Sequence, residues 1–450
     1  MASLSTCPPL TRDSVIQARQ LIRSHVHLTP VLTNKTLSRM ASTPRDPAAV
    51  GSGRTPARPI LRLWLKCENM QRTGAFKARG AFHAIKRLQQ EPGWLESGGK
   101  EKGVVGYSAG NHAQALALAA AEDGIASRIV MPTTTRPNKI AATRGYGAIV
   151  VFSGPGFAGR EAVAAEIVAE TGARLVPPHD HPDVILGQAT AGLEFQEQVL
   201  EQQQQQNLIE EGRGGGGGGG GGGRRRRRRK GLDAIIAPCS GGGLLSGTAL
   251  SCEGTGIRVF GAEPEFEGAD DGRRGFYSGA RIVAHAKTPD TVADGLAGAV
   301  GAAPWGLIYD RGLVGGMYAV TEEEILAATR LLLERLKVWV EPSAAVPLAV
   351  ALYNEEFRGM AEREGEIDPR EYTVEKTGIM GKDGHHDAGL LANPGYQMMF
   401  SLLSYFHGPD ICVGEDKLHP TSRSQSFGLT LHNPAFGCGH QASKLESSTG

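Results

Sequence analysis

From Val104 onward, short apolar runs alternate with stretches of helical period, and this restricts the chain to few folds. Val104–Tyr107 reads as a strand and His112–Glu122 as an Ala/Leu-rich helix that Gly124 can end. The same alternation gives strands at Arg128–Met131, Ala148–Phe152 and Arg174–Val176, with helices at Asn138–Arg144, Arg160–Glu170 and Pro182–Gln198. After an interruption come a strand at Leu232–Ala237, a helix at Gly243–Cys252 and a strand at Arg258–Ala262. Repeated βα units with short connections require parallel strands, whose two faces must both be covered by helices. Later, Tyr318–Val320 precedes Thr321-Glu322-Glu323-Glu324, the form of a capping box, and Ile325–Leu336 continues with helical period.

Two segments break the pattern. Gln202–Gln206, Gly214–Gly223 and Arg224–Lys230 form glutamine, glycine and basic runs, so residues 202–230 are expected to be a disordered insert. The arginines would suit an anionic partner, but a solvated insert explains them more simply. A smaller Pro/Gly/Ser insert occupies Ser42–Pro59. Residues 369–450 lose the alternation and form an atypical tail with a few apolar pieces, such as Tyr396–Phe406.

Composition excludes several classes. At 450 residues the chain can bury more than one core, and a net charge of +1 points to neither nucleic acid nor a membrane surface. The six cysteines show no CxxC spacing, which argues against a disulfide framework or a zinc module and fits a reducing compartment. The N-terminus has no apolar signal core, and no stretch is apolar enough to span a bilayer. A cytoplasmic enzyme acting on a small molecule is the expectation.

Three motifs carry chemistry. In TGAFKARGA (Thr73–Ala81), Lys77 lies beside Phe76 among small residues. Gly74, Ala75, Ala78 and Gly80 would leave room for a planar ligand, and a lysine in a partly apolar pocket becomes a usable amine nucleophile and base. A surface lysine at a helix start fits the local residues equally well. Ser108-Ala109-Gly110-Asn111-His112 runs from a strand into a helix, where free amides, a hydroxyl and a carboxamide suit a carboxylate. A plain N-cap turn would use the same residues. Ser240-Gly241-Gly242-Gly243 lies between a strand and a helix and can aim several backbone N–H groups at one phosphate. It is neither a P-loop nor GxGxxG.

In this order, and followed by Val340-Glu341-Pro342-Ser343-Ala344-Ala345, the motifs resemble the serine racemase and serine/threonine dehydratase family of the tryptophan-synthase-β fold type. The resemblance runs from His27-Leu28-Thr29-Pro30 to Tyr353. It implies an α/β fold with two open, mostly parallel twisted sheets covered by helices. A large pyridoxal-phosphate domain would span 1–100 and 175–368, and a small substrate-loop domain 101–174. By the same resemblance Lys77 would bind the cofactor aldehyde and move the Cα proton, and Phe76 would pack near the ring. Asn111 would contact the ring hydroxyl, and Ser108, Ala109, Gly110 and His112 would complete the substrate loop. Ser240, Gly241, Gly242 and Gly243 would cradle the phosphate, and Gly295 and Glu341 would line the pocket. The family also implies a homodimer, a small amino acid as substrate, and a divalent cation. The residues implied for it are Glu263, Ala269 and Asp271, whose oxygen ligands would suit magnesium or calcium, although the spacing runs about two residues long. A solvated acidic loop is the alternative.

Two departures matter. Serine racemases carry a second serine where Ala109 stands, and racemisation needs a proton donor on each face of Cα. Alanine has no proton to give, so the chain reads as an ammonia-lyase of L-serine, L-threonine or another 3-hydroxy amino acid. A serine racemase, or an inactive member with a basic insert, is the alternative. In addition, no S-G-G-N-like turn follows Tyr353, so the strand that closes the large sheet and faces the pyridine nitrogen is expected to be absent or replaced.

Overall fold

The computed structural model describes residues 4–51, 53, 55–154, 159–213, 231–283, 288–366 and 396–402. The described strands are β1 (Val31–Thr33), β2 (Leu61–Cys67), β3 (Val104–Tyr107), β4 (Ser127–Met131), β5 (Ile149–Phe152), β6 (Arg174–Leu175), β7 (Ala234–Pro238), β8 (Arg258–Pro264), β9 (Met317–Val320) and β10 (Tyr396–Leu402). They form a six-stranded sheet, ordered β1-β2-β10-β7-β8-β9, and a four-stranded sheet, ordered β5-β4-β3-β6. Apart from antiparallel β1, every pairing is parallel. The expected fold class is therefore observed.

Burial explains the sheet. β7 is buried at every position and β2 at all but one, as for strands covered on both faces. The helices Gly243–Cys252 and Pro342–Tyr353 are buried almost all round, which accounts for their lack of a polar face. The Thr321 capping box forms: Thr321 Oγ1 accepts from the Glu324 amide, and Glu324 accepts from the Thr321 amide. Among the described residues no helix is long and apolar enough to cross a membrane.

Two expectations need correction, and a third is met in one of its two forms. First, the glutamine run is structured. The helix from Pro182 continues to Arg213, and Gln203 is buried, its carboxamide exchanging two hydrogen bonds with the backbone of Gly231. Side-chain hydrogen bonds tie this polar stretch down, from Gln202 to the Val31 carbonyl and from Gln203 to Gly231. Residues 214–230 lie outside the described ones.

Second, the strand that closes the large sheet is replaced, not absent, and the replacement comes from the tail. Tyr396–Leu402 runs parallel to β2 from Tyr396↔Leu61 to Leu402↔Cys67, and parallel to β7 from Met398↔Ala234 to Phe400↔Ile236. Seven extended residues suffice to satisfy two flanking ladders, so the position can be filled without the family's turn motif. The rest of the tail lies outside the described residues.

Third, the small residues around Lys77 serve helix packing. A Cβ on Gly80 would lie 2.2 Å from Nε2 of Gln188, and one on Gly187 would lie 2.6 Å from the Arg79 carbonyl oxygen. Ala78 is fully buried in core. The helices Lys77–Gln89 and Pro182–Arg213 approach closely there, so the space that Gly80 and Ala78 leave is filled by protein. The Ser42–Pro59 segment is likewise held: buried Arg358 donates to the carbonyls of Ala41, Thr43 and Ala57.

Candidate active site

Lys77 opens its helix after two short 3-10 turns, in which Thr73 and Gly74 adopt positive φ. Nζ donates to the Pro178 carbonyl at 2.7 Å and lies 5.2 Å from the centre of the buried Phe76 ring. Burial lowers the ammonium pKa to about 8, with the Glu341 carboxylate opposing the shift. The helix N-terminus adds a positive dipole that also disfavours the charged form. At neutral pH an appreciable fraction is free amine.

The loop after β3 supplies Ser108 to Gly110, and Asn111 begins the helix Asn111–Glu122. Ser108 Oγ accepts from the Gly110 amide at 3.2 Å, shaping the turn. Asn111 Nδ2 donates to both Glu341 oxygens at 3.3 Å, tying the small sheet's first helix to the start of Pro342–Tyr353. His112 points inward, with Nε2 3.0 Å from the Val176 carbonyl, and burial together with Lys77 lowers its pKa to about 3. It is a neutral prop for the loop.

The glycine loop meets a second wall. Gly242 has φ +82°, a conformation that favours glycine, and the helix Gly243–Cys252 begins with no side-chain cap. Its first-turn amides therefore have no side chain to satisfy them, as in an anion cradle. Ser240 Oγ bridges the amide and carbonyl of Gly298, each at 3.1 Å. A Cβ on Gly241 would fall 2.3 Å from the His179 ring. On the opposite side, the Gly295 amide donates to Ser343 Oγ at 3.1 Å, and a Cβ on Gly295 would lie 3.4 Å from Glu341 Oε1. Lysine, uncapped loop and glycine-lined walls together fit pyridoxal phosphate.

At the end of β8, Glu263 is fully buried. Its Oε2 accepts from the Arg273 amide at 2.7 Å, while Oε1 has no hydrogen-bond partner among the described residues. Of the adjacent aspartates, Asp270 turns outward to Arg274, whereas Asp271 turns inward and accepts from the Val300 amide at 3.1 Å. Burial, then the other carboxylate, holds the Glu263 carboxyl well above its ordinary range, and burial raises Asp271 too. Two buried acids facing one another fit a divalent cation, which would neutralise both. Ala269 lies buried in the preceding turn.

Several functional neighbours carried no sequence signal that we read. The segment Pro178-His179-Asp180 joins three parts of the site. Pro178 receives Lys77, and His179 packs on Gly241 and Gly243. Asp180 accepts from the amides of Ala302 and Ala303. Burial, reinforced by Lys77, lowers the His179 pKa to about 4. Beneath Lys77, buried Arg79 bridges Glu68 and Glu194, and Lys66 joins Glu194 at 3.0 Å. An Arg two residues beyond a Lys, with Glu68 ahead of both, was the available clue.

The fold and the lysine–glycine-loop site together define a pyridoxal-phosphate enzyme. The chain belongs to the pyridoxal-phosphate dependent enzyme family, whose model matches residues 49–366. It is 34% identical over 381 residues to the L-threo-3-hydroxyaspartate ammonia-lyase of Saccharomyces cerevisiae, covering 83% of this chain and 97% of that one. It is 37% identical over 340 residues to the serine racemase of Rattus norvegicus, covering 75% and 85% respectively. The structure of maize serine racemase aligns with a TM-score of 0.65 at 30% identity, covering 88% of this chain and 93% of that chain. The chain thus sits within the serine racemase and ammonia-lyase branch of the family.

Proposed function

We propose that this chain is an ammonia-lyase that converts L-serine, L-threonine or another 3-hydroxy amino acid to a 2-keto acid and ammonia. The observation that carries the reading is the loop Ser108–Asn111. Ala109 has no transferable proton, so the loop lacks the donor that a serine at this position would supply. Lys77 is then the proton-transfer group, acting on one face of Cα.

Pyridoxal phosphate, when bound, supplies the sink for the electron pair left at Cα. The Ser240–Gly243 amides would hold its phosphate, and Asn111 and Glu341 would flank its ring. Lys77 Nζ, present partly as amine, takes the Cα proton. The Ser108–Asn111 turn, at a helix N-terminus, holds the substrate carboxylate. With a proton returned by Lys77 or supplied by the cofactor phosphate, the β-hydroxyl would depart as water, and water added back on hydrolysis would release ammonia, so serine gives pyruvate plus ammonia with no net water. The same burial that keeps His112 and His179 neutral holds part of Lys77 as the free amine. Residues 101–174 would act as a substrate lobe against 1–100 and 175–368, with Glu263, Ala269 and Asp271 holding a divalent cation beneath the phosphate loop.

The test incubates purified protein and pyridoxal phosphate with L-serine, L-threonine and L-threo-3-hydroxyaspartate. Keto acid should form from at least one and disappear in Lys77→Ala. Cofactor binding without keto acid from any of the three overturns the reading. D-serine formed from L-serine, seen by chiral chromatography and lost in Lys77→Ala, would establish a racemase instead.

A further inference from the structure

A second set of ligand-type side chains lies outside the groups assigned to cofactor, substrate and the carboxylate pair. Cys7 Sγ is 3.6 Å from Asp183 Oδ2 and 3.8 Å from His181 Nε2. His181 Nδ1 is 3.9 Å from the same aspartate oxygen. One donor atom from each residue falls within 4.8 Å of the others. His181 and Asp183 are buried at 2% and 1% exposure, and Cys7 is half-buried, so the cluster is open on one side only.

We propose that Cys7, His181 and Asp183 bind one zinc-type divalent cation, with water in the remaining position, and that this ion staples the N-terminal segment to the start of the long helix Pro182–Arg213. Zinc–sulfur and zinc–nitrogen bonds at a tetrahedral angle place S and N about 3.6 Å apart, and N and O about 3.4 Å apart. The Sγ–Nε2 separation of 3.8 Å exceeds the first by a few tenths of an ångström; the 3.9 Å approach to Asp183 is made by the other ring nitrogen, so the imidazole must rotate to bring Nε2 to the carboxylate. A thiol, an imidazole and a carboxylate together form a mixed soft and borderline set, which suits zinc or cobalt and not magnesium or calcium.

The surroundings bear on the same reading. Asp183 Oδ1 is buried without a hydrogen bond, and its neighbour is Arg87 Nε at 3.5 Å. The outer nitrogens of Arg87 donate to the Thr6 carbonyl and Gln90, so its charge is drawn toward the surface. His83 faces Asp183 through its carbonyl, at 2.6 Å, and burial holds its pKa near 4, so it adds no positive charge at neutral pH. Burial and the Asp183 carboxylate push the Cys7 thiol up to about 12, so it is no nucleophile by itself. Loading a cation displaces the thiol proton, so one proton leaves per ion bound. The Asp183 amide donates to His181 Nδ1 at 3.2 Å, so the ring proton moves from Nε2 to Nδ1 as that contact gives way. Pro178 and His179, which touch Lys77 and the phosphate loop, lie only a few residues before this cluster.

The experiment uses the full chain with bound pyridoxal phosphate, stripped by a chelator and titrated with cobalt(II) and with zinc. Cobalt should produce a thiolate charge-transfer band in the difference spectrum, and Cys7→Ser and His181→Gln should each abolish it. A band that persists in Cys7→Ser, or no band in the wild type, overturns the proposal. Cobalt bound without the band would report oxygen ligation at Glu263 and Asp271, and would overturn it as well. A second measurement needs no variant: prolonged iodoacetamide labelling of Cys7 at mildly alkaline pH, where enough thiolate forms to react, mapped by mass spectrometry, should fall at least tenfold with zinc and be unaffected by magnesium. Equal labelling with and without zinc refutes the site.

Discussion

Arg79→Met tests the buried network beneath Lys77. Arg79, Lys66 and Glu68 are fully buried and Glu194 is nearly so, giving two positive and two negative charges. Arg79 donates to Glu68 at 2.7 and 2.9 Å and to Glu194 at 2.9 and 2.8 Å, while Lys66 reaches Glu194 at 3.0 Å. Removing Arg79 leaves two carboxylates against one ammonium in a water-free site. Breaking such a pair costs about 3–5 kcal/mol, mostly because the partner stays charged and buried. With a urea m-value of about 3 kcal/mol per M, the unfolding midpoint should fall by about 1 to 1.7 M. The double variant Arg79→Met with Glu194→Gln restores balance between Lys66 and Glu68, and should recover part of that loss. The pH response supplies the sign. Burial raises Glu194, but Arg79 first and then Lys66 outweigh it and hold its carboxyl below the ordinary value. In the wild type this stabilisation is present above the ordinary carboxyl pKa and fades as pH falls through the lower native one. In Arg79→Met burial dominates, so the defect should shrink as acid protonates Glu194. A midpoint unchanged within about 0.3 M, or a double variant no better than the single, would refute this account.

Gly241→Ala should weaken pyridoxal-phosphate binding by about 5- to 150-fold, measured by fluorescence titration, because its Cβ would meet the His179 ring at 2.3 Å and overpacking costs about 1–3 kcal/mol. In apoprotein the rate of cofactor capture should rise with pH and level off above the Lys77 pKa of about 8. Glu341→Gln removes the carboxylate that opposes the burial of Lys77, so the inflection should move to lower pH; a shift upward would contradict the assignment. Met399→Pro removes a backbone donor from β10, which is paired on both sides with Trp64 and Ile235. It should cost about 3 kcal/mol or more and lower the thermal midpoint, and an unchanged midpoint would show that this strand does not close the sheet.

The parallel α/β fold and the order of the three motifs could be read directly from the chain. Those signals are local: a strand-to-helix change of period, a capping box, a glycine loop between a strand and a helix. The family resemblance singled out Lys77, Asn111, Ser240 to Gly243, Gly295 and Glu341 before their partners were known, because each lies in a short motif. What those residues touch was not legible. Pro178, His179 and Asp180 went unread because the fold carries one segment past both Lys77 and the glycine loop, and contacts a hundred residues apart leave no mark on local pattern. The glycine and alanines around Lys77 looked like space for a ligand, yet Gly80 and Ala78 pack against a helix that begins at Pro182. The glutamine run looked unfoldable because composition counts apolar area, whereas Gln203 is held by hydrogen bonds to Gly231. The strand that completes the large sheet lacks the family's turn, and only the pairing of Tyr396–Leu402 with β2 and β7 identifies it. Sequence determined which elements form, since local energetics select them. Tertiary structure decided which elements meet, because partner choice depends on surfaces that exist only once the chain has folded.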